Sequence, residues 1–192
     1  MPKDLQGNAF KLLEKISPIK GKKAVFITAK YVAFSKEIVA KNLKDSVNAE
    51  LKDYLEVTNI EDFKASVTKY SADPEVGWIL TGTFVTALKD GSKVSDVEVV
   101  KWFTENCSKP TINYWEMFVK SGVLGALGVD LTANGTQAGE IAVRVLKGES
   151  IKDIKAEGPK TIVIVLNQKT AKKLNIEFPA DVLGSAAKVY AE

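Results

Sequence analysis

Short runs of β-branched and aromatic residues recur along the chain, each followed by a stretch with helical spacing, and this alternation constrains the fold more than any other feature. The runs are KAVFIT (Lys23 to Thr28), YLEV (Tyr54 to Val57), GWIL (Gly77 to Leu80) and TINY (Thr111 to Tyr114, introduced by Pro110); a glycine-dotted fifth, VLGAL (Val123 to Leu127), follows. KAVFIT, after the turn-prone Lys20-Gly21-Lys22, reads as a buried strand. Strand starts near residues 24, 54, 78 and 111 have the spacing of repeated βα units. Right-handed crossovers then give an α/β fold: a doubly wound parallel sheet with helices on both faces and strands over 23–28, 53–57, 77–81, 110–114 and 123–127.

The intervening stretches carry helix signals. Val32, Val39 and Leu43, with Phe34 and Ile38 beside them, predict a helix after the first strand. Thr58 and Glu61 have capping-box spacing, and Ile60, Phe63, Val67 and Tyr70 form the apolar stripe behind them. Ser95 and Glu98 spell a second box, with Val94 and Val99 placed for a hydrophobic staple. The fifth strand, closed by Asp130, leads into an amphipathic helix from about Ala133 to Lys147, with Gln137, Ala138, Ile141, Ala142, Val145 and Leu146 on one face. A polar linker, ESIKDIKAEGPK, precedes the apolar strand TIVIVL (Thr161 to Leu166). Asn167 can cap a short helix, and Pro179 precedes a last helical piece reaching Tyr190.

Composition sets limits on chemistry. A chain of 192 residues with 45% apolar content suits one α/β domain, or one with an appendage. The net charge of +3 comes from lysines scattered among acidic residues, which describes solvated helix faces and gives no nucleic-acid footprint. With no histidine, histidine-based catalysis and histidine-ligated metals are excluded. Cys107, in an apolar helical pattern, reads as a buried structural thiol. No carboxylates cluster at metal spacing, and neither GxxxxGK[ST] nor GxGxxG occurs, so the expectation is a non-enzyme without cofactor or metal. The start, MPKDLQGNAF, lacks the apolar core of a signal peptide, and no segment approaches the length of a membrane span.

Ligands of open α/β sheets bind beyond the carboxyl ends of the strands, where strand order reverses. That rule selects Lys30 and Tyr31 after the first strand, Thr81 and Thr83 after the third, Tyr114, Trp115 and Glu116 after the fourth, and Asp130 after the fifth. Hydroxyls, aromatic faces, an ammonium and two carboxylates suit a small zwitterion. Each position also has a plain structural reading: Tyr31 and Trp115 as core aromatics, Thr81 and Thr83 as partners of loop backbone, Glu116 as a helix-start carboxylate, Asp130 as a helix cap.

The segments EMFVKSGVLGALGVD, NGTQAGEIAVRVLKGES and TIVIVLNQKTAKKLNIEFP, in that order, resemble the carboxyl-terminal half of ABC transporter substrate-binding proteins of the tryptophan/tyrosine type. The most specific parts are Gly135-x-Gln137-Ala138-Gly139, Leu146-Lys147-Gly148-Glu149 and Asn167-x-x-Thr170-Ala171-Lys172. AFKLLEKISPIKGKKAVFI is similar to the family's entry into its second lobe. The resemblance implies a single lobe of a type I periplasmic-binding-protein-like fold with a carboxyl-terminal helix/strand appendage. The ligand-binding lobe would cover 9–131, with the crossover helix, return strand and terminal helices in 132–192 and most of the first lobe outside this chain. It implies a small polar solute as ligand (an aromatic or other amino acid), an ABC permease as partner of the full receptor, and an extracytoplasmic place, periplasmic or lipid-anchored. Glu116 and Asp130 match acidic positions of the family, whereas its Thr-Asp-Asn-like loop is here Thr81-Gly82-Thr83, so only the first threonine is kept.

The same resemblance makes Gly128 to Thr132 a hinge and leaves the following helix face and TIVIVL in need of a cover. They either fold back on this lobe or pair with a second copy, and the open edge of the TIVIVL strand favours a homodimer. A non-enzymatic interaction or sensory module that keeps the lobe fold and dimerises is the alternative to a solute-binding lobe.

Overall fold

The computed structural model describes residues 5–32 and 34–191. Helix α1 (Leu5–Ile16) buries Leu5, Ala9, Leu12, Leu13 and Ile16, steps of three and four that lay one side of it on the sheet. Strand β1 (Lys23–Ala29) is buried from Ala24 onward because helices cover both its faces. After α2 (Lys36–Val47), β2 (Leu51–Val57) pairs parallel to one side of β1. After α3 (Ile60–Ser71), β3 (Val76–Thr81) pairs parallel to the other. Helix α4 (Asp96–Asn106) leads to the short β4 (Ile112–Asn113), which adjoins β3 through an Ile79 N–H to Pro110 carbonyl bond of 3.3 Å. Next come α5 (Glu116–Lys120), β5 (Gly125–Val129) parallel to β4, α6 (Leu131–Leu146), β6 (Ile162–Asn167), α7 (Gln168–Lys173), α8 (Ala180–Ser185) and β7 (Ala186–Tyr190). The strand order is β2-β1-β3, continued by β4-β5-β6-β7.

This is the α/β, doubly wound arrangement that the alternation of runs predicts. On one face α1 and α2 pack against Phe26, Trp78 and Leu80. On the other, α3 and α4 cover Ile27 and Ile79, and Phe84 meets Phe63, Phe103 and Phe118 edge-on at centroid distances of 5.9, 5.4 and 5.0 Å. The stripe Ile60, Phe63, Val67, Tyr70 is buried throughout, and Ser95 and Glu98 form the reciprocal capping box before α4. Cys107 is buried, and its desolvation pushes the thiol pKa up.

Several expectations are corrected. The cap of α3 is Asn59, whose side chain accepts from the Asp62 N–H at 2.9 Å, one residue beyond Thr58; Asn is the better cap of the two. Helix α2 starts only at Lys36 with Ser35 as cap, so Val32 and Phe34 lie in the preceding loop and Ile38 is exposed. The last helical piece ends at Ser185, and Ala186–Tyr190 form a strand parallel to β6. Strand β6 therefore has no open edge: β5 pairs antiparallel on one side and β7 parallel on the other. The amphipathic face of α6 does not fold back on the lobe; Gln137 alone of its residues is buried, and Leu146 is 86% exposed.

Candidate functional site

Ile79 meets Pro110, and Thr81 meets Asn113, so β4 runs along β3 in the same sense and the ends of β1, β3, β4 and β5 open at one end of the sheet. Asn113, fully buried, holds two of these ends together. Its amide donates to the Thr81 carbonyl and hydroxyl, both at 3.3 Å, and its carbonyl accepts from the N–H groups of Tyr114 at 2.7 Å and Trp115 at 3.2 Å. The Tyr54 hydroxyl fixes the loop after β1 by donating to the Phe34 carbonyl at 2.7 Å, and the Phe34 ring lies 5.3 Å from Phe26 and 6.5 Å from Tyr114.

Two glycines allow these close approaches. A Cβ at Gly82 would stand 2.6 Å from the Phe34 ring, and one at Gly128 would stand 2.5 Å from the Tyr114 carbonyl oxygen. The Thr28 hydroxyl, sealed beneath Gly82 and Phe34, has no hydrogen-bond partner among the described residues.

The selected residues divide into two groups. Tyr114, Trp115, Glu116 and Asp130 surround one groove of about 550 Å³, floored by Ala126, Gly128, Val163 and Val165 and bounded on its far side by Lys188 and Tyr190 of β7. Lys30, Tyr31, Thr81 and Thr83 do not line it. Tyr31 is 67% exposed, Lys30 is exposed, Thr83 is half-buried, and Thr81 is buried with its hydroxyl accepting from Asn113.

Tyr114 borders the groove, but its ring packs in the core beside Phe34, and burial pushes its phenol above its ordinary pKa. Trp115, in contrast, is half exposed. Glu116 opens α5, and its Oε1 accepts from Lys188 Nζ at 2.8 Å and from the Tyr190 hydroxyl at 2.7 Å. The Lys188 hydrogen bond, then that of Tyr190, holds this carboxyl below its ordinary pKa. Asp130 caps α6: its Oδ1 accepts from the N–H groups of Thr132 at 2.9 Å and Ala133 at 3.0 Å. Reading the sequence missed Asn113, Phe34, Lys188 and Tyr190. A carboxamide in a β-branched run and the i, i+2 spacing of Lys188 and Tyr190 were the signals available.

The sequence pattern of the ABC transporter substrate binding protein family matches residues 12–190. The chain belongs to that family. As a family member it is 29% identical, over 129 residues, to a tyrosine-binding protein of Clostridioides difficile (strain R20291), an alignment that covers 66% of this chain and 37% of that protein. Its fold matches the ABC domain in complex with L-Trp from Streptococcus pneumonia with a TM-score of 0.69 at 20% identity, covering 96% of this chain and 62% of the other. A ligand-free, open substrate binding protein with adhesive properties from Clostridium difficile matches with a TM-score of 0.67 at 18% identity, covering 96% and 59%. The structural matches show a lobe of the type I periplasmic-binding-protein fold, and this substrate-binding family member spans less than two thirds of each of these relatives. Among the described residues no helix is long and apolar enough to cross a membrane.

Proposed function

We propose that this chain is a non-enzymatic, solute-binding lobe of an extracytoplasmic ABC uptake receptor, and that it takes a zwitterionic amino acid with an aromatic side chain. One observation carries the reading: two carboxylates and the exposed ring of Trp115, from the ends of β4 and β5, line a single groove with an apolar floor. Its volume of about 550 Å³ falls within the range of small-molecule sites. Similarity to a tyrosine-binding protein and to an L-Trp-bound domain supports the ligand class. In this reading the ligand ring lies against Trp115, its ammonium faces Asp130, and an ABC permease receives the solute from the full receptor. One lobe buries only part of such a ligand, so binding to this chain alone is weak.

Thermal unfolding in millimolar concentrations of each common amino acid tests the proposal. Tryptophan or tyrosine is expected to raise the transition temperature, and Trp115→Ala is expected to abolish the rise. No response to any amino acid would overturn it.

A further inference from the structure

The groove has a cationic pole that the sequence motifs did not show. Lys188 and Tyr190 project from the same side of β7, and both reach Glu116 Oε1. The Lys188 ammonium also sits 4.9 Å from the centre of the Tyr190 ring. An ammonium has three donors; Glu116 takes one and the neighbouring Tyr190 side chain engages another, which leaves a third for a ligand. The other lysine at the groove, Lys120, makes no hydrogen bond among the described residues and is exposed. Across the floor, Asp130 uses Oδ1 for the two backbone N–H groups, while Oδ2 accepts nothing among the described residues. A tethered cation and a half-used carboxylate thus face one groove, with Ala126, Gly128, Val163 and Val165 between them.

We infer that Lys188 is the anchor for the ligand's carboxylate, and that Glu116 is a positioning residue which holds Lys188 at the groove and does not itself take the ligand's ammonium. Resting on the amino-acid reading above, this gives the ligand a direction: carboxylate toward β7, ammonium toward Asp130 at the end of β5. Tyr190 donates to the same Glu116 oxygen as Lys188, so the three side chains form one support. The ion pair itself is half exposed on both sides and adds little to stability, so removing it leaves the lobe folded.

The test uses three probes on the 192-residue chain: L-tryptophan, tryptamine, which lacks the carboxylate, and indole-3-propionate, which lacks the ammonium. Binding is followed by amide chemical shifts, whose dispersion also reports folding. Lys188→Met is expected to weaken L-tryptophan and indole-3-propionate about tenfold or more, as loss of a charge-assisted bond does, and to leave tryptamine unchanged. Lys188→Arg should restore part of the loss, and Glu116→Gln should weaken the two carboxylates by less than Lys188→Met does. Equal weakening of all three probes would mean a merely structural role and overturn the inference, as would an unchanged L-tryptophan affinity in Lys188→Met. If the unmodified chain binds none of the probes, the amino-acid reading falls and this inference with it; if it binds L-tryptophan and only the Lys188 result fails, the inference alone falls. Should Lys188→Met not fold, Lys188→Arg and Glu116→Gln decide, since unchanged carboxylate binding in both would overturn it.

Discussion

Asn113 decides the shape of the groove at the level of one side chain. Its amide joins the end of β3 to the loop that carries Tyr114 and Trp115, and Asn113, Thr81 and Tyr114 all lie out of water. Asn113→Ala would strand the Tyr114 N–H and the Thr81 carbonyl, and a stranded buried group costs about 1–3 kcal/mol. A loss of about 2–3 kcal/mol in urea unfolding, with an unchanged slope, is therefore expected. An effect near zero would show that water replaces the amide. Nothing periodic marks such a residue in the sequence: TINY reads as a strand with or without its carboxamide, and Asn113 finds Thr81 at a separation of 32 residues. Thr81 shows the converse. The switch-point rule offered it as a ligand contact and its alternative reading was structural; its hydroxyl in the fold is an acceptor for Asn113.

Among the elements, local signals were legible where the chemistry is local. Ser95 and Glu98 name the start of α4 from three residues' spacing, and the structure makes both bonds, Glu98 N–H to Ser95 Oγ at 3.2 Å and Ser95 N–H to Glu98 Oε2 at 3.0 Å. Ser95→Ala is expected to lower stability by about 1 kcal/mol, and Ser95→Asp to retain most of it, both read from denaturant midpoints. An alanine variant as stable as the parent would mean that the box contributes nothing to α4. Thr58 and Asn59 lie side by side and both can cap, so spacing alone placed the start of α3 one residue early. Strand β7 was illegible for another reason. Ala186, Ala187 and Lys188 are good helix formers, and only the edge of β6, lying far back in the chain, makes Ala186–Tyr190 extended. The cationic wall of the groove came from that strand, so it could not be read before the pairing was known.

On the scale of the whole molecule, the βα alternation foretold the layered lobe, while α6 stands apart from it. Strand β1 is sealed between helices, but α6 has sixteen residues of which Gln137 alone is buried, and Leu131 and Leu146 are 65% and 86% exposed. What holds α6 is polar: Gln137 Nε2 donates to Glu157 Oε2 at 3.2 Å and to the Gly158 carbonyl at 3.1 Å, and Arg144 pairs with Glu149 at 2.5 Å. A part-exposed ion pair such as Arg144–Glu149 is worth little, and a helix of this length is marginal without apolar packing. In dilute solution the amides of α6 should therefore exchange with solvent orders of magnitude faster than those of β1 and β3, by local opening that leaves the sheet intact. Large aliphatic side chains contribute roughly 1.5–3 kcal/mol each when fully buried, so any polypeptide that covers Leu131, Val143 and Leu146 would change this. The homodimer expected from the sequence then has a specific signature: protection confined to α6 should rise with protein concentration, in step with the mass measured by sedimentation. Slow exchange in α6 at a concentration where the chain sediments as a monomer would contradict the exposed face itself, whereas fast exchange at every concentration would leave the face uncovered by a second copy and reject the dimer.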